Sequence, residues 1–371
     1  MLAETSQNLV AMFFDQAAKH GKDSFLWAKT GKAYAPQSWT VVAEAVSRLA
    51  RALRAQGIRA GDRVVLVSEN RPEWLIADLA IMAAGGITVP TYTTNTHRDH
   101  LHILENSQAR GAVVSTARLA KTFLPAAHQA DALEFVVTIE PPKIAQSLNA
   151  RMLDWQSLLD EQTPDVPAER EIAQTIARSD TACIIYTSGT GGAPKGVMLH
   201  HGAILHNCAG AADVLKDIGL ENNSFLSFLP LSHAYEHSAG QFLPISVGAQ
   251  IYYAQGIDKL AINMEEAKPT VMVVVPRLFE MLRTRVTRTV YQKGGLSKTM
   301  FERALDLGRK KLNGEALTKT EKLQDGVLEK LVRKKVRDRF GGRLKALVSG
   351  GAPLNKDFCD CFMAFGLPLL Q

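Results

Sequence analysis

Apolar positions along this chain recur with two periods that alternate. Val42, Val46, Leu49 and Leu53 return every three or four residues, which predicts a helix with one apolar face, and Gly57 stands where its cap would fall. Arg63 to Ser68 is instead a short Val-rich run, the mark of a strand buried on both faces. Upstream, Leu9, Met12, Phe13 and Ala17 predict an amphipathic helix within residues 1–20, and Phe25 to Trp39 a strand pair turning near Gly31. Pro72 suits the first turn of a helix over Trp74 to Ala84, closed by Gly85-Gly86 and followed by a strand from Ile87 to Val89. The alternation continues with a helix over 97–106, a strand over 111–115, a helix over 119–130 and a strand over 135–139. Residues 141–167, with Trp155 among them, read as a looser connector.

Beyond it, strands are predicted at 182–185, 197–199, 225–229, 250–253, 271–275 and 344–348. Helices are predicted at 278–291 and 301–312, and Leu328, Leu331, Val332 and Val336 line a third that ends near Gly341-Gly342. Strand–helix–strand repetition of this kind gives a mostly parallel sheet covered on both faces. The fold class is therefore α/β, with mostly parallel sheets flanked by helices in two subdomains.

At 371 residues the chain can hold two or three domains or subdomains. It has no apolar run approaching the roughly 18 residues that cross a bilayer. Glu4 stands early in an N-terminus without a basic leader, so no secretory signal is expected. The four cysteines (183, 208, 359 and 361) form neither a disulfide framework nor a metal-binding spacing, as in a reducing cytoplasm. Between Arg303 and Lys345 fourteen Lys or Arg face six Asp or Glu, a local +8 in a chain of net +6. That segment is either a solvated helical surface or a partner for nucleic acid, anionic lipid or a phosphorylated cofactor. Nucleic acid is disfavoured, because no aromatic residues interleave the charges.

Tyr186 to Val197, YTSGTGGAPKGV, carries the candidate chemistry. Glycines let successive N–H groups converge on one anion, hydroxyls add neutral donors, and Lys195 adds a compact positive charge. Pro194 has no N–H, so the cradle falls to Thr187, Ser188, Gly189, Thr190, Gly191 and Gly192. The motif departs from the common P-loop, which needs Gly-Lys followed by Ser or Thr. A Gly-rich hairpin without a ligand is the alternative.

This stretch resembles the phosphate-binding signature of the adenylate-forming superfamily, which includes acyl-CoA synthetases, luciferases and peptide-synthetase adenylation domains. The usual form is YTSGTTGxPKGV, so Gly191 replaces one Thr. His233 to His237 matches HxxEH, a pattern of some zinc peptidases. Its context after a strand and Leu229-Pro230-Leu231 resembles the family's second motif near the acyl pocket, which implies substrate contact for His233 and a local structural role for Glu236. His97, His100 and His102 form a loose cluster in a helix that the family uses structurally. Gly350, Gly351, Ala352 and Pro353 end the segment SGGAP, which in that family stacks on adenine. Residues 69–90 and 256–280, with the helical region 283–340, resemble the long-chain fatty acyl-CoA synthetase branch.

The resemblance implies a ligase that activates a fatty acid as acyl-AMP and transfers it to coenzyme A, with ATP, Mg2+ and coenzyme A required. Catalytic roles would fall to Thr187, Lys195, His233 and Glu236, with no metal ligand assigned. Approximate subdomains are 1–62 with 213–345, then 63–212, with 346–371 opening a missing remainder. Later family motifs and the C-terminal domain are absent from these residues, so the 371-residue chain is expected to turn over little by itself. An acyl-AMP ligase feeding a carrier protein, a non-catalytic nucleotide-binding module and a zinc hydrolase are the rival readings. The expected partners are fatty acid, ATP and coenzyme A, without nucleic acid. Location is expected to be cytoplasmic, with peripheral contact at the inner membrane face as the extension that the basic segment suggests.

Overall fold

The computed structural model describes residues 2–142, 148–187, 193–219 and 221–370. Among these, fourteen strands alternate with helices. They are β1 (Ser24–Thr30), β2 (Ala33–Ser38), β3 (Arg63–Val67), β4 (Ile87–Thr91), β5 (Gly111–Val114), β6 (Phe135–Thr138) and β7 (Arg151–Asp154). Then follow β8 (Thr181–Thr187), β9 (Lys195–His200), β10 (Ser224–Ser227), β11 (Gln250–Tyr253), β12 (Val271–Val274), β13 (Ala346–Ser349) and β14 (Leu369–Leu370). The fold is α/β, with mostly parallel sheets flanked by helices. The chain divides into two compact units, Met1–Lys216 with Pro230–Tyr253 and Asp217–Leu229 with Ala254–Gln371.

In the first unit the sheet runs β7-β6-β5-β3-β4-β8-β9. Pairing is parallel from β7 to β8, and β9 turns back antiparallel against β8. From β3 the chain passes to β4 on one side and to β5 on the other. Ligands of open parallel sheets bind beyond the carboxyl ends of strands at such a reversal. Because β8 lies parallel to β4, Thr187 ends on that same edge. The strands earn this central position by composition, since β5 and β6 are buried at every residue. This unit also holds β11-β1-β2, with β1 parallel to β11 and antiparallel to β2.

The helix Leu9–His20 corrects one expectation. Its buried residues include Leu9 to Phe14 without a break, so it is interior rather than one-sided. Asn8 caps it by accepting from the Ala11 N–H, while its amide donates to the carbonyls of Ala173 and Ile176. The segment expected as a loose connector is also more ordered. It contains β7, parallel to β6, and the helices Trp155–Asp160 and Val166–Ala173. Its strand is only half apolar (RMLD), which conceals an edge strand from a pattern search.

The second unit carries β14-β13-β12-β10, all parallel. Its helices include Pro276–Lys293, Gly295–Leu312, Lys319–Leu328 and Lys356–Ala364. Gly308 lets two of them approach closely, because a Cβ there would lie 2.5 Å from the Ala364 carbonyl oxygen. After Leu328 the chain widens into a π-turn, Glu329–Arg333, before the helix Lys334–Asp338. The wider turn changes which residues face inward. Leu328 and Val336 are buried as expected, but Leu331 is 47 % exposed. No helix among the described residues is long and apolar enough to cross a membrane.

Candidate functional site

β8 and β9 pair antiparallel on either side of the Gly-rich stretch. β8 buries Ala182, Cys183, Ile185 and Tyr186, and its antiparallel register sets Thr187 opposite Lys195. Both are exposed at the mouth of the hairpin. Ser188, Gly189, Thr190, Gly191 and Gly192 lie outside the described residues. What is described fixes the two ends of the loop. The Tyr186 ring lies across Gly196, where a Cβ would come within 3.1 Å of it and 2.7 Å of Ile184 Cγ2. Tyr186 donates its hydroxyl to Asn106 Oδ1 at 2.6 Å, and burial raises its pKa. His102 donates from Nε2 to the carbonyl of Pro194 at 2.9 Å, with its ring edge-on to Tyr186.

The three clustered histidines therefore serve three ends. His102 holds the Pro194 carbonyl; His97 Nε2 accepts from the Gln129 amide at 2.9 Å; His100 packs edge-on against Phe123. Burial lowers the pKa of His100 to about 4, so it stays neutral. Among the described residues no group of three or more His, Cys, Asp or Glu could hold a metal ion.

The HxxEH pair separates. Leu231 N–H donates to Asn70 Oδ1 at 3.4 Å, tying the segment to the chain just beyond β3. His233 is exposed and its Nδ1 accepts from the Tyr235 N–H at 3.2 Å. A π-helix, Glu236–Phe242, begins three residues later, and such turns are frequent at functional sites. Glu236 is buried against Gly240, where a Cβ would fall 2.4 Å from its carboxyl carbon. His237 is wholly buried, with Nε2 2.9 Å from Asp78 Oδ2 and Nδ1 4.0 Å from Cys183 Sγ. Burial works against a charge on His237, but the Asp78 carboxylate and the Cys183 sulfur more than offset it. The imidazole is held well above its ordinary pKa.

Sequence reasoning passed over the Asp78–His237 pair. One signal was present: Asp78 is a lone acid deep inside the otherwise apolar run WLIADLAIMA, and a buried carboxylate needs a partner.

Beside the π-helix, a cavity of about 380 Å³ opens against the helix His201–Val214. Leu199 of β9, Ile204, Cys208, Ala211, Tyr235 and Leu243 are among its lining. Apolar side chains dominate, and the volume is that of a small-molecule site. Burial pushes the Cys208 thiol up to about 12, so it lines the wall as a neutral group.

In the second unit β13 runs into Gly350, whose N–H donates to the Val274 carbonyl at 3.2 Å. Gly351 adopts φ +82°, a left-handed conformation that suits glycine. Gly351, Ala352 and Pro353 are exposed at the carboxyl end of the strand, presenting bare backbone to solvent.

The family model described as AMP-binding enzyme matches residues 13–371. A long-chain-fatty-acid–CoA ligase of Rattus norvegicus is 27% identical over 376 residues, covering 99% of this chain and 56% of its own. A Mycobacterium tuberculosis ligase of the same description is 32% identical over 347 residues, covering 90% of this chain and 55% of its own. The chain thus spans about half the length of the curated relatives it matches. Among solved structures, the adenylation domain of a carboxylate reductase from Mycobacterium chelonae superposes with a TM-score of 0.74 at 16% identity, covering 99% of this chain and 57% of that one. A benzoate CoA ligase from Burkholderia xenovorans gives 0.70 at 21%, covering 98% and 60%. At these identities the solved structures speak for the fold alone.

Proposed function

The chain belongs to the AMP-binding enzyme family of adenylate-forming ligases, and from that premise we propose that the full-length protein joins a long-chain fatty acid to coenzyme A. A carboxylate oxygen attacks the α-phosphorus of ATP, pyrophosphate leaves, and an acyl-adenylate forms. The thiolate of coenzyme A then attacks the acyl carbon and AMP leaves. Adenylation is needed because a free carboxylate would have to expel oxide.

The reading rests on one observation. Lys195 and Leu199 are four residues apart on β9, the first at the hairpin mouth and the second lining the apolar cavity. At the rise of a strand they stand about 13 Å apart. A fatty acid has this polarity, an anionic head and an apolar tail. Thr187 and Lys195 would hold the phosphates together with the loop between them, through charge and fixed donors. His233 would meet the carboxylate at the cavity mouth beside Tyr235. The described residues gather no ligand set for Mg2+, so no step is routed through it.

The test is Lys195→Met in the full-length protein, read by fatty acid-dependent pyrophosphate exchange. The expected loss is about 10²–10³ in kcat; unchanged kinetics would remove the reason for placing phosphate at the hairpin. Replacing coenzyme A by an acyl carrier protein in the second half-reaction separates the two acceptors. The coenzyme A reading fails if only the carrier protein is acylated.

A further inference from the structure

We propose that the helix Lys319–Leu328, with the π-turn Glu329–Arg333 that continues it, is a docking face for an anionic lipid bilayer. This does not rest on the ligase reading. Leu323, Val327 and Leu331 are 75, 50 and 47 % exposed; Leu323 and Val327 stand four residues apart on one helical face, and Leu331 is turned outward in the π-turn that follows. A single exposed leucine is ordinary, but an aligned apolar stripe marks a contact surface.

Charge on this element is sorted by side. Its acids are engaged by neighbouring cations. Glu321 accepts from Lys310 at 2.8 Å and Arg303 at 3.3 Å. Asp325 accepts from Lys311 at 2.9 Å and forms an ion pair with Arg333 at 2.7 Å, and Glu329 pairs with Arg337. The Glu321 and Asp325 side chains are only 13 and 15 % exposed. Lys319, Lys322, Lys330 and Lys335 are exposed, and among the described residues none of them has an ion pair within 4.0 Å. The exposed surface of this element and of the helix that follows it therefore carries ammonium groups without an ion pair alongside exposed apolar side chains.

That combination selects the partner. Apolar side chains enter the boundary between headgroups and acyl chains while lysines meet lipid phosphates. A nucleic-acid surface would want stacking rings, and residues 319–335 contain no aromatic residue. A merely solvated helix would have polar residues where Leu323 and Val327 stand.

The experiment is co-sedimentation of the full-length protein with phosphatidylglycerol–phosphatidylcholine vesicles and with pure phosphatidylcholine vesicles. Binding is expected on the anionic vesicles, falling as salt is raised. Lys319→Glu with Lys330→Glu should weaken it by about five-fold per lysine or more, and Leu323→Glu with Val327→Glu by at least as much. All four positions are exposed, so circular dichroism and the thermal midpoint should stay unchanged. Ile262→Glu, at a residue 52 % exposed on the helix Leu260–Ala267, should bind like the parent. The proposal is overturned if the parent ignores anionic vesicles, or if both double variants sediment as it does. It also falls if the lysine variant loses binding to a single-stranded oligonucleotide while its vesicle binding is intact.

Discussion

Asp78 and His237 meet 159 residues apart in sequence as an ion pair in which neither side chain has any exposure. The pair ties the π-helix beside the cavity to the apolar helix Pro72–Ala83. Removing one partner of such a pair leaves the other charge buried without compensation, which costs about 3–5 kcal/mol. Asp78→Asn is therefore expected to lower the urea midpoint of the full-length protein sharply. A shift within error would mean that the pair contributes nothing.

Stability should also depend on pH on both flanks, with opposite signs. His237 has a raised folded pKa, so its contribution is complete below the ordinary value of 6.5 and is lost as pH climbs toward about 10. His100 and His201 are lowered by burial to about 4. They stay neutral when folded, so the unfolded chain gains protons first and stability falls from pH 6.5 downward. Denaturation midpoints across pH should peak near neutrality, and Asp78→Asn should flatten the alkaline flank while leaving the acid one. A parent profile flat from pH 6.5 to 9 would contradict the raised His237.

His102 fixes the Pro194 carbonyl next to the loop whose far end is Thr187. A hydrogen bond of this kind has a net worth of about 0.5–1.5 kcal/mol. His102→Ala should raise the KM for ATP by up to about ten-fold with little change in the thermal midpoint, and His102→Gln, which keeps an N–H donor, should recover part of it. Equal KM values in all three proteins would show that the loop is held by other means.

The cavity predicts chain-length behaviour. Ala211 lines it from the helix His201–Val214, and Ala211→Phe would fill part of its volume. Adenylation of long acids should drop by ten-fold or more, in line with the 1–3 kcal/mol that overpacking costs, while short acids are spared. Equal losses for acids of all lengths would place the tail elsewhere.

Much of the fold can be read from periodicity because strands buried on both faces are continuous apolar runs and covering helices repeat every three or four residues. β3, β5, β6, β8 and β12 announce themselves this way. β7 does not, because an edge strand needs only one good face. Leu331 was expected inward, and the π-turn carried it outward. An extra residue per turn leaves no trace in a helical pattern.

The amino-acid order alone determined the layered α/β plan and the short strands on either side of the Gly-rich stretch, since both depend on neighbours a few positions apart. Only the folded chain decided that His102 would grip Pro194, that Asp78 would meet His237, and that Leu323, Val327 and Leu331 would stand outside. Those outcomes turn on which surfaces meet across long stretches of chain. Local spacing states which residues share a face, but the partner of that face is chosen by packing and by the need to neutralise whatever charge the packing buries.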